Sequence, residues 1–291
     1  MRRLTALAAL AALLVIAPAC GEEDAREVAD SARERVERLQ EEGERLRDRA
    51  RAASEEFGRR VREVLDEIRQ AVPEASLPAP QVREATALEA FMKEVLESVD
   101  GYWTRTLRAS GLEEPRVGYY WVPPGGRVLT ACRVVADDRA AFYCSADDTI
   151  YIAARFADAV YRGIADDLPG ERAGRGNAVG EFGLAYVIAH EYAHNVQFEL
   201  GFYRLLRPED GVKAFELQAD CMAGLWGNAV YRSGRYDAQD VEQAISTAQA
   251  VGDFDFGAEQ HHGTPDERRA AWLDGFRTGD PARCQRYVPG T

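Results

Sequence analysis

The chain has 291 residues, 46% of them hydrophobic and 29% charged, with a formal net charge of −13. That length holds one or two domains with a sizeable core. The acidic balance argues against nucleic acid as a partner and against adsorption to an acidic membrane surface by charge alone.

In chain order, Met1-Arg2-Arg3 is a short basic start, Leu4 to Ile16 is apolar, and Ala17-Pro18-Ala19 places small residues before Cys20. The apolar run is too short to span a membrane and reads as a secretory signal. A cysteine directly after small residues is similar to a bacterial lipoprotein box, although Ala17 stands where leucine is preferred. Residues 1–20 are therefore expected to be a lipoprotein-type signal peptide, with Cys20 lipidated and the exported protein anchored to a bacterial membrane in the cell envelope. From 21 to 72 the chain is mostly Ala, Arg and Glu and contains no proline, which predicts a long helix. Val36, Leu39, Leu46, Phe57, Val61, Val64 and Ile68 follow spacings built from three, four and seven. That is a weak heptad seam with a stutter, read either as a helical stalk or as a coiled coil through which two chains self-associate. Residues 73–84, opening Pro-Glu-Ala-Ser-Leu-Pro-Ala-Pro, break the helix as a linker.

The remainder, 85–291, reads as one domain. Thr86 to Ser110 predicts a helix with Ala90, Phe91, Val95, Leu96 and Trp103 on its apolar face. Strands are expected at Arg116 to Val122, Arg127 to Cys132 and Thr149 to Ala153, with Pro-Pro-Gly-Gly (123–126) as a turn. The aromatic run Tyr119-Tyr120-Trp121 suits either a core or a substrate groove, and the core is the commoner use of such residues. The glycine-rich, charged stretch from Asp167 to Asn177 reads as an exposed loop.

Phe182 to Leu200 then predicts a helix stopped by Gly201, and it carries His190-Glu-Tyr-Ala-His194. Residues four apart lie one above the other on a helix face, so the two imidazoles aim at one point. Only four histidines occur in the chain, the others being His261 and His262, so the histidine is concentrated where a metal would use it. Glu191 projects at an angle that lets it hold a water rather than ligate. A second helix, Val212 to Tyr231, carries Glu216 and Asp220 on one face among apolar neighbours. Glu216 completes a His2Glu zinc set with an open fourth position, and Asp220 can accept the outer imidazole N–H and fix its tautomer. Further on, Thr264 and Glu267 form a capping box around Pro265, and Arg268 either orients a carboxylate or pairs with Asp266. Besides Cys20 there are four cysteines, Cys132, Cys144, Cys221 and Cys284, an even number suited to an oxidising compartment. Sequence alone permits three pairings.

The segments 185–197, 216–226, 262–268 (His-Gly-Thr-Pro-Asp-Glu-Arg) and 279–284 (Gly-Asp-Pro-Ala-Arg-Cys) occur in an order that resembles the neutral zinc metallopeptidases of bacteria. The resemblance runs over roughly residues 85–288, and its Glu-x-x-x-Asp partner is similar to gluzincin peptidases. It implies an α+β, zincin-like domain with a small sheet and active-site helices, preceded here by the long N-terminal helix. It also implies disulfides Cys132–Cys144 and Cys221–Cys284, and it places His262 where a donor to the oxyanion stands, although His262 serves equally as a helix cap. His261 stands where a small polar residue is usual. In gluzincin-like folds an edge strand above the metal pairs with extended substrate, and Thr149 to Ala154 is expected near the site.

The combined expectation is a zinc (Zn2+) peptidase acting on peptide or protein substrates. His190, His194 and Glu216 hold the metal, Glu191 is the general base, Asp220 supports the ligands and His262 stabilises charge. The competing expectation is a catalytically silent, zinc-bound envelope scaffold.

Overall fold

The computed structural model describes Arg35, Arg45 and residues 85–165, 167–205, 212–234, 236–255 and 261–287. Arg35 and Arg45 are helical; otherwise the signal peptide, Cys20, the stalk and the linker to residue 84 lie outside the described residues. The chain divides into two units, Met1–Glu63 and Val64–Thr291, and the elements below belong to the second.

Helix α1 (Ala85–Ala109) buries Leu88, Phe91, Met92, Val95, Val99 and Trp103. Their spacing of three and four puts them on the one face that packs on the domain. Five short strands follow: β1 (Gly118–Val122), β2 (Val128–Leu129), β3 (Val135–Ala136), β4 (Ala141–Cys144) and β5 (Thr149–Ala153). One sheet has the order β1-β5-β4, with β1 parallel and β4 antiparallel to β5; β2 and β3 form a separate hairpin. Helices α2 (Ala154–Arg162), α3 (Pro169–Arg172), α4 (Gly180–Glu199), α5 (Lys213–Arg232), α6 (Ala238–Ala250), α7 (Pro265–Thr278) and α8 (Ala282–Gln285) complete the domain. The result is mixed α+β with a small sheet, as expected of a zincin-like domain.

Every residue of α4 from Phe182 to Gln197 is buried. A helix buried all round must lie in the middle of the fold, and α1, α2, α5, α6 and β4 all pack on it. Its polar residues are therefore in the interior, where each needs a partner. Helices α5 and α7 approach until their backbones touch. A Cβ on Gly224 would collide with the Trp272 carbonyl, and one on Gly275 with the Cys221 carbonyl. Only glycine at both positions permits this crossing, and the crossing brings Arg268 of α7 against Asp220 of α5.

Both expected disulfides are present. Cys132–Cys144 ties the β2–β3 hairpin to the end of β4, and Cys221–Cys284 ties α5 to α8.

Four local expectations need correction. The strand expected over Arg127–Cys132 is only Val128–Leu129, because Thr130 N–H donates to the Val134 carbonyl and Arg133, at φ 62°, turns the chain back. The segment Thr149 to Ala154, expected near the site, forms the central strand β5 and the start of α2, and the strand that packs on α4 is β4, whose four residues are too short a run to stand out in sequence. The Tyr119-Tyr120-Trp121 run belongs to β1, the edge opposite β4. It is half exposed rather than core, since only Val122 of that strand is buried. The stretch 167–177 contains the helical turn α3, with Gly170 buried against α6 rather than exposed.

Candidate metal centre

Helix α4 presents His190 and His194 on one face, and α5 presents Glu216 to them. The two Nε2 atoms are 3.2 Å apart. Glu216 Oε2 lies 3.2 Å from His190 Nε2, and its Oε1 lies 3.4 Å from His194 Nε2. Zinc–ligand bonds of about 2.0–2.1 Å in tetrahedral array place neighbouring donor atoms about 3.3 Å apart. The three donors thus already stand at the edge length of a zinc tetrahedron, and they form the metal-ligating group found among the described residues.

Each imidazole is held from behind. His190 Nδ1 faces Asp220 Oδ1 at 3.0 Å, so its N–H lies on that side and the Nε2 lone pair faces the site. Asp220 is fully buried and accepts three further bonds: from Tyr186 Oη at 2.5 Å, Arg268 Nε at 2.7 Å and Arg268 Nη2 at 3.0 Å. The Arg268 fork is itself buried, and its Nη2 also lies 3.6 Å from Glu216 Oε2. Of its two expected roles, Arg268 therefore takes that of orienting a carboxylate.

His194 is held by an amide relay. Gln197 Nε2 donates to the Phe215 carbonyl at 2.8 Å and to Gln218 Oε1 at 3.0 Å, which leaves Gln197 Oε1 to accept from His194 Nδ1 at 2.8 Å. The same tautomer results: proton on Nδ1, lone pair at Nε2.

Glu191 stands apart from the ligand set. Its Oε2 accepts the backbone N–H of Tyr143 on β4 at 2.9 Å. Burial pushes its carboxyl above the ordinary value, against the lowering effect of His190 and His194, the direction useful for a base working near neutral pH. Burial also pushes against ionisation of Glu216, but the facing His194 and His190 rings hold it well below its ordinary value. For His190 burial lowers the value and Asp220 more than restores it, to about 9.

His262 is not drawn into this cluster. Its Nδ1 lies 3.2 Å from Asp253 Oδ2, which also accepts its backbone N–H at 2.8 Å, and its side chain is 45% exposed. His261 is buried, with Nδ1 2.5 Å from Asp253 Oδ1. The Thr264–Glu267 capping box closes the start of α7 by itself, so His262 is not needed as the cap.

Asp220 was legible in sequence; Tyr186, Gln197, Gln218 and the Tyr143 N–H were not. The signal for two of them was helical spacing, since Tyr186 is four residues before His190 and Gln197 three after His194.

The fold is that of a zincin-like domain, and its three converging donors could hold a metal ion. Residues 54–287 match the family model described as "Putative neutral zinc metallopeptidase", and the chain belongs to that family. It is 31% identical over 218 residues to the "Uncharacterized protein YpfJ" of Escherichia coli (strain K12), covering 68% of this chain and 70% of that one. It is 29% identical over 218 residues to the "Uncharacterized protein Rv2575" of Mycobacterium tuberculosis (strain H37Rv), covering 65% and 67%. No solved structure matches the chain with significance. The family match begins at residue 54, inside the segment read as a stalk.

Proposed function

We propose that this domain is an endopeptidase that cleaves peptide or protein substrates with a zinc-activated water. One observation carries the reading: Glu191 lies between two metal-ligating histidines on the same helix, yet its carboxylate is turned to the Tyr143 N–H rather than to the ligand set. A structural zinc site has no use for such a carboxylate. Zinc bound by His190, His194 and Glu216 supplies Lewis acidity and a water acidic enough to lose its proton near pH 7.

Glu191, steadied through one oxygen by Tyr143, takes that proton on the other. The base is then positioned to hand the proton to the leaving amine. Asp220 and Gln197 keep both Nε2 lone pairs aimed at the site, with Arg268 keeping Asp220 ionised. His262 is the donor to the developing oxyanion. Its Nδ1 is engaged by Asp253, which leaves Nε2 as the atom that meets the substrate oxygen in this reading. Strand β4 turns the N–H and C=O of Ala141 and the C=O of Tyr143 away from β5, since Phe142 and Cys144 face that strand in the antiparallel register, while the outward Tyr143 N–H is taken by Glu191. That outer edge suits an extended peptide lying across the site, entering and leaving at both ends.

The protein is exported, with Cys20 lipidated and the stalk spacing the domain from a bacterial membrane or pairing two copies. The two disulfides support an oxidising compartment. Among the described residues no helix is long and apolar enough to cross a membrane.

The test is Glu191→Gln. Zinc content stays at one per chain while hydrolysis of an unfolded protein such as casein falls by at least about 10³-fold. Undiminished hydrolysis refutes the mechanism; zinc bound by the natural chain without cleavage of any substrate points to the scaffold instead.

A further inference from the structure

Helix α4 is buried along its length until Phe198, which is 43% exposed and follows His194 by one helical turn. Its ring does not stand alone. Tyr143 of β4 lies 6.4 Å away at 56°, Tyr203 lies 6.1 Å away at 61°, and Tyr203 in turn stacks on buried Phe215 at 5.2 Å. The four rings make one continuous aromatic strip from the edge strand, past the end of the catalytic helix, to the start of α5.

Three features tie the strip to the chemistry. The backbone N–H of Tyr143 holds Glu191. The hydroxyl of Tyr203 lies 3.4 Å from His194 Nδ1. Phe215 immediately precedes the ligand Glu216. The strip is also rigid and presents carbon. Tyr143 turns its hydroxyl to Asp148 Oδ1 at 2.7 Å, and that oxygen is fixed by Asn195 Nδ2 at 2.8 Å, whose side chain also donates to the Arg116 carbonyl. Both tyrosine hydroxyls therefore point to protein partners, which leaves ring faces and edges for whatever lies on the strip. Aromatic rings inclined to one another in this way favour another ring or a large aliphatic group.

We infer that the strip is the specificity subsite of the active site and takes a large apolar or aromatic side chain of the peptide, next to the bond that is cut. The inference rests on the peptidase reading above. A peptide strand added to the outer edge of β4 runs past Tyr143 and carries alternate side chains toward the sheet face and away from it. A side chain directed at the end of α4 meets Phe198 first. Phe198 and Tyr203 are the specificity residues; their backing by Phe215 and Asp148 keeps the subsite shaped before substrate arrives.

The zinc-loaded full chain is given a peptide mixture of known composition, and the residues flanking each cut are counted. One position beside the cut should be enriched in Phe, Tyr, Trp, Leu and Met. Two synthetic peptides differing only by Phe or Ala at that position then measure selectivity as a ratio of kcat/KM. In Phe198→Ala that ratio should fall about tenfold, while Phe198→Leu retains most of it. Thermal transitions and zinc content of both variants show that they are folded and loaded. If the natural chain cuts nothing, the peptidase reading fails and this subsite with it. Cleavage with no preference at any position, or a preference unchanged in Phe198→Ala, overturns the subsite alone.

Discussion

The domain holds two histidine pairs, and their geometry separates them. His190 and His194 are four residues apart on a helix, so their rings converge, and each uses a different partner behind it: Asp220 for one, Gln197 for the other. His261 and His262 are adjacent in a loop, and each turns Nδ1 to one oxygen of the single carboxylate of Asp253. Convergence leaves two lone pairs and a facing carboxylate that a cation satisfies. The adjacent pair shares one acceptor between its two Nδ1 atoms. Two histidines beside a carboxylate do not suffice for a metal site; the lone pairs must meet, and each outer nitrogen must have its own acceptor.

The most severe way to break the convergent pair is to remove what holds Asp220. Arg268→Leu leaves a fully buried carboxylate without its cation, at a cost of about 3–5 kcal/mol. Thermal unfolding should register it as a large loss of stability, and zinc affinity should drop with it. An unchanged midpoint would mean that Asp220 is neutral or solvated in the variant. For the adjacent pair, His262→Ala separates two roles. As oxyanion donor its loss lowers kcat about 10²-fold with zinc content intact. A lower melting temperature with kcat unchanged would leave His262 only as an anchor of the loop before α7.

Much of this contrast could be read before the structure, and the reasons differ by residue. His190, His194, Glu216 and Asp220 sit at helical spacings, and such spacing is local information. The Thr264–Glu267 box was readable for the same reason. Arg268 is ambiguous in sequence because its partner is 48 residues away, and only the close crossing of α5 and α7, at Gly224 and Gly275, decides between Asp220 and Asp266. Strand β4 was missed because four residues, flanked by turns and ended by a bonded cysteine, carry no usable alternation. Gln197 does not stand out in sequence because a glutamine on a helix reads as solvent-facing, whereas α4 is buried on every side from Phe182 to Gln197. Its relay predicts a moderate effect: Gln197→Leu frees His194 to rotate and lowers zinc affinity about 10- to 100-fold. Competition with a chelator of known affinity measures that, and an unchanged affinity would show that Tyr203 or packing alone suffices to orient the ring.

The smallest effect sharpens the second pair. Burial pushes the Asp253 carboxyl up, but the His262 backbone N–H and the His261 and His262 rings outweigh it and hold the value at about 2. A carboxylate with a depressed value in the folded chain contributes stability that is complete above its ordinary value, near 3.8, and is lost as pH falls toward about 2. Asp253→Asn should therefore lower the melting temperature by a constant amount above about pH 5, the gap narrowing as pH drops below about 4. The effect is on the order of 1 kcal/mol at most, because the site lies near the surface. Asp220 is likewise held below its ordinary value against burial, by Arg268 first and then by the His190 ring. A deficit that stays constant as pH falls to about 2 would mean that the His262 N–H and the two rings do not stabilise the Asp253 carboxylate.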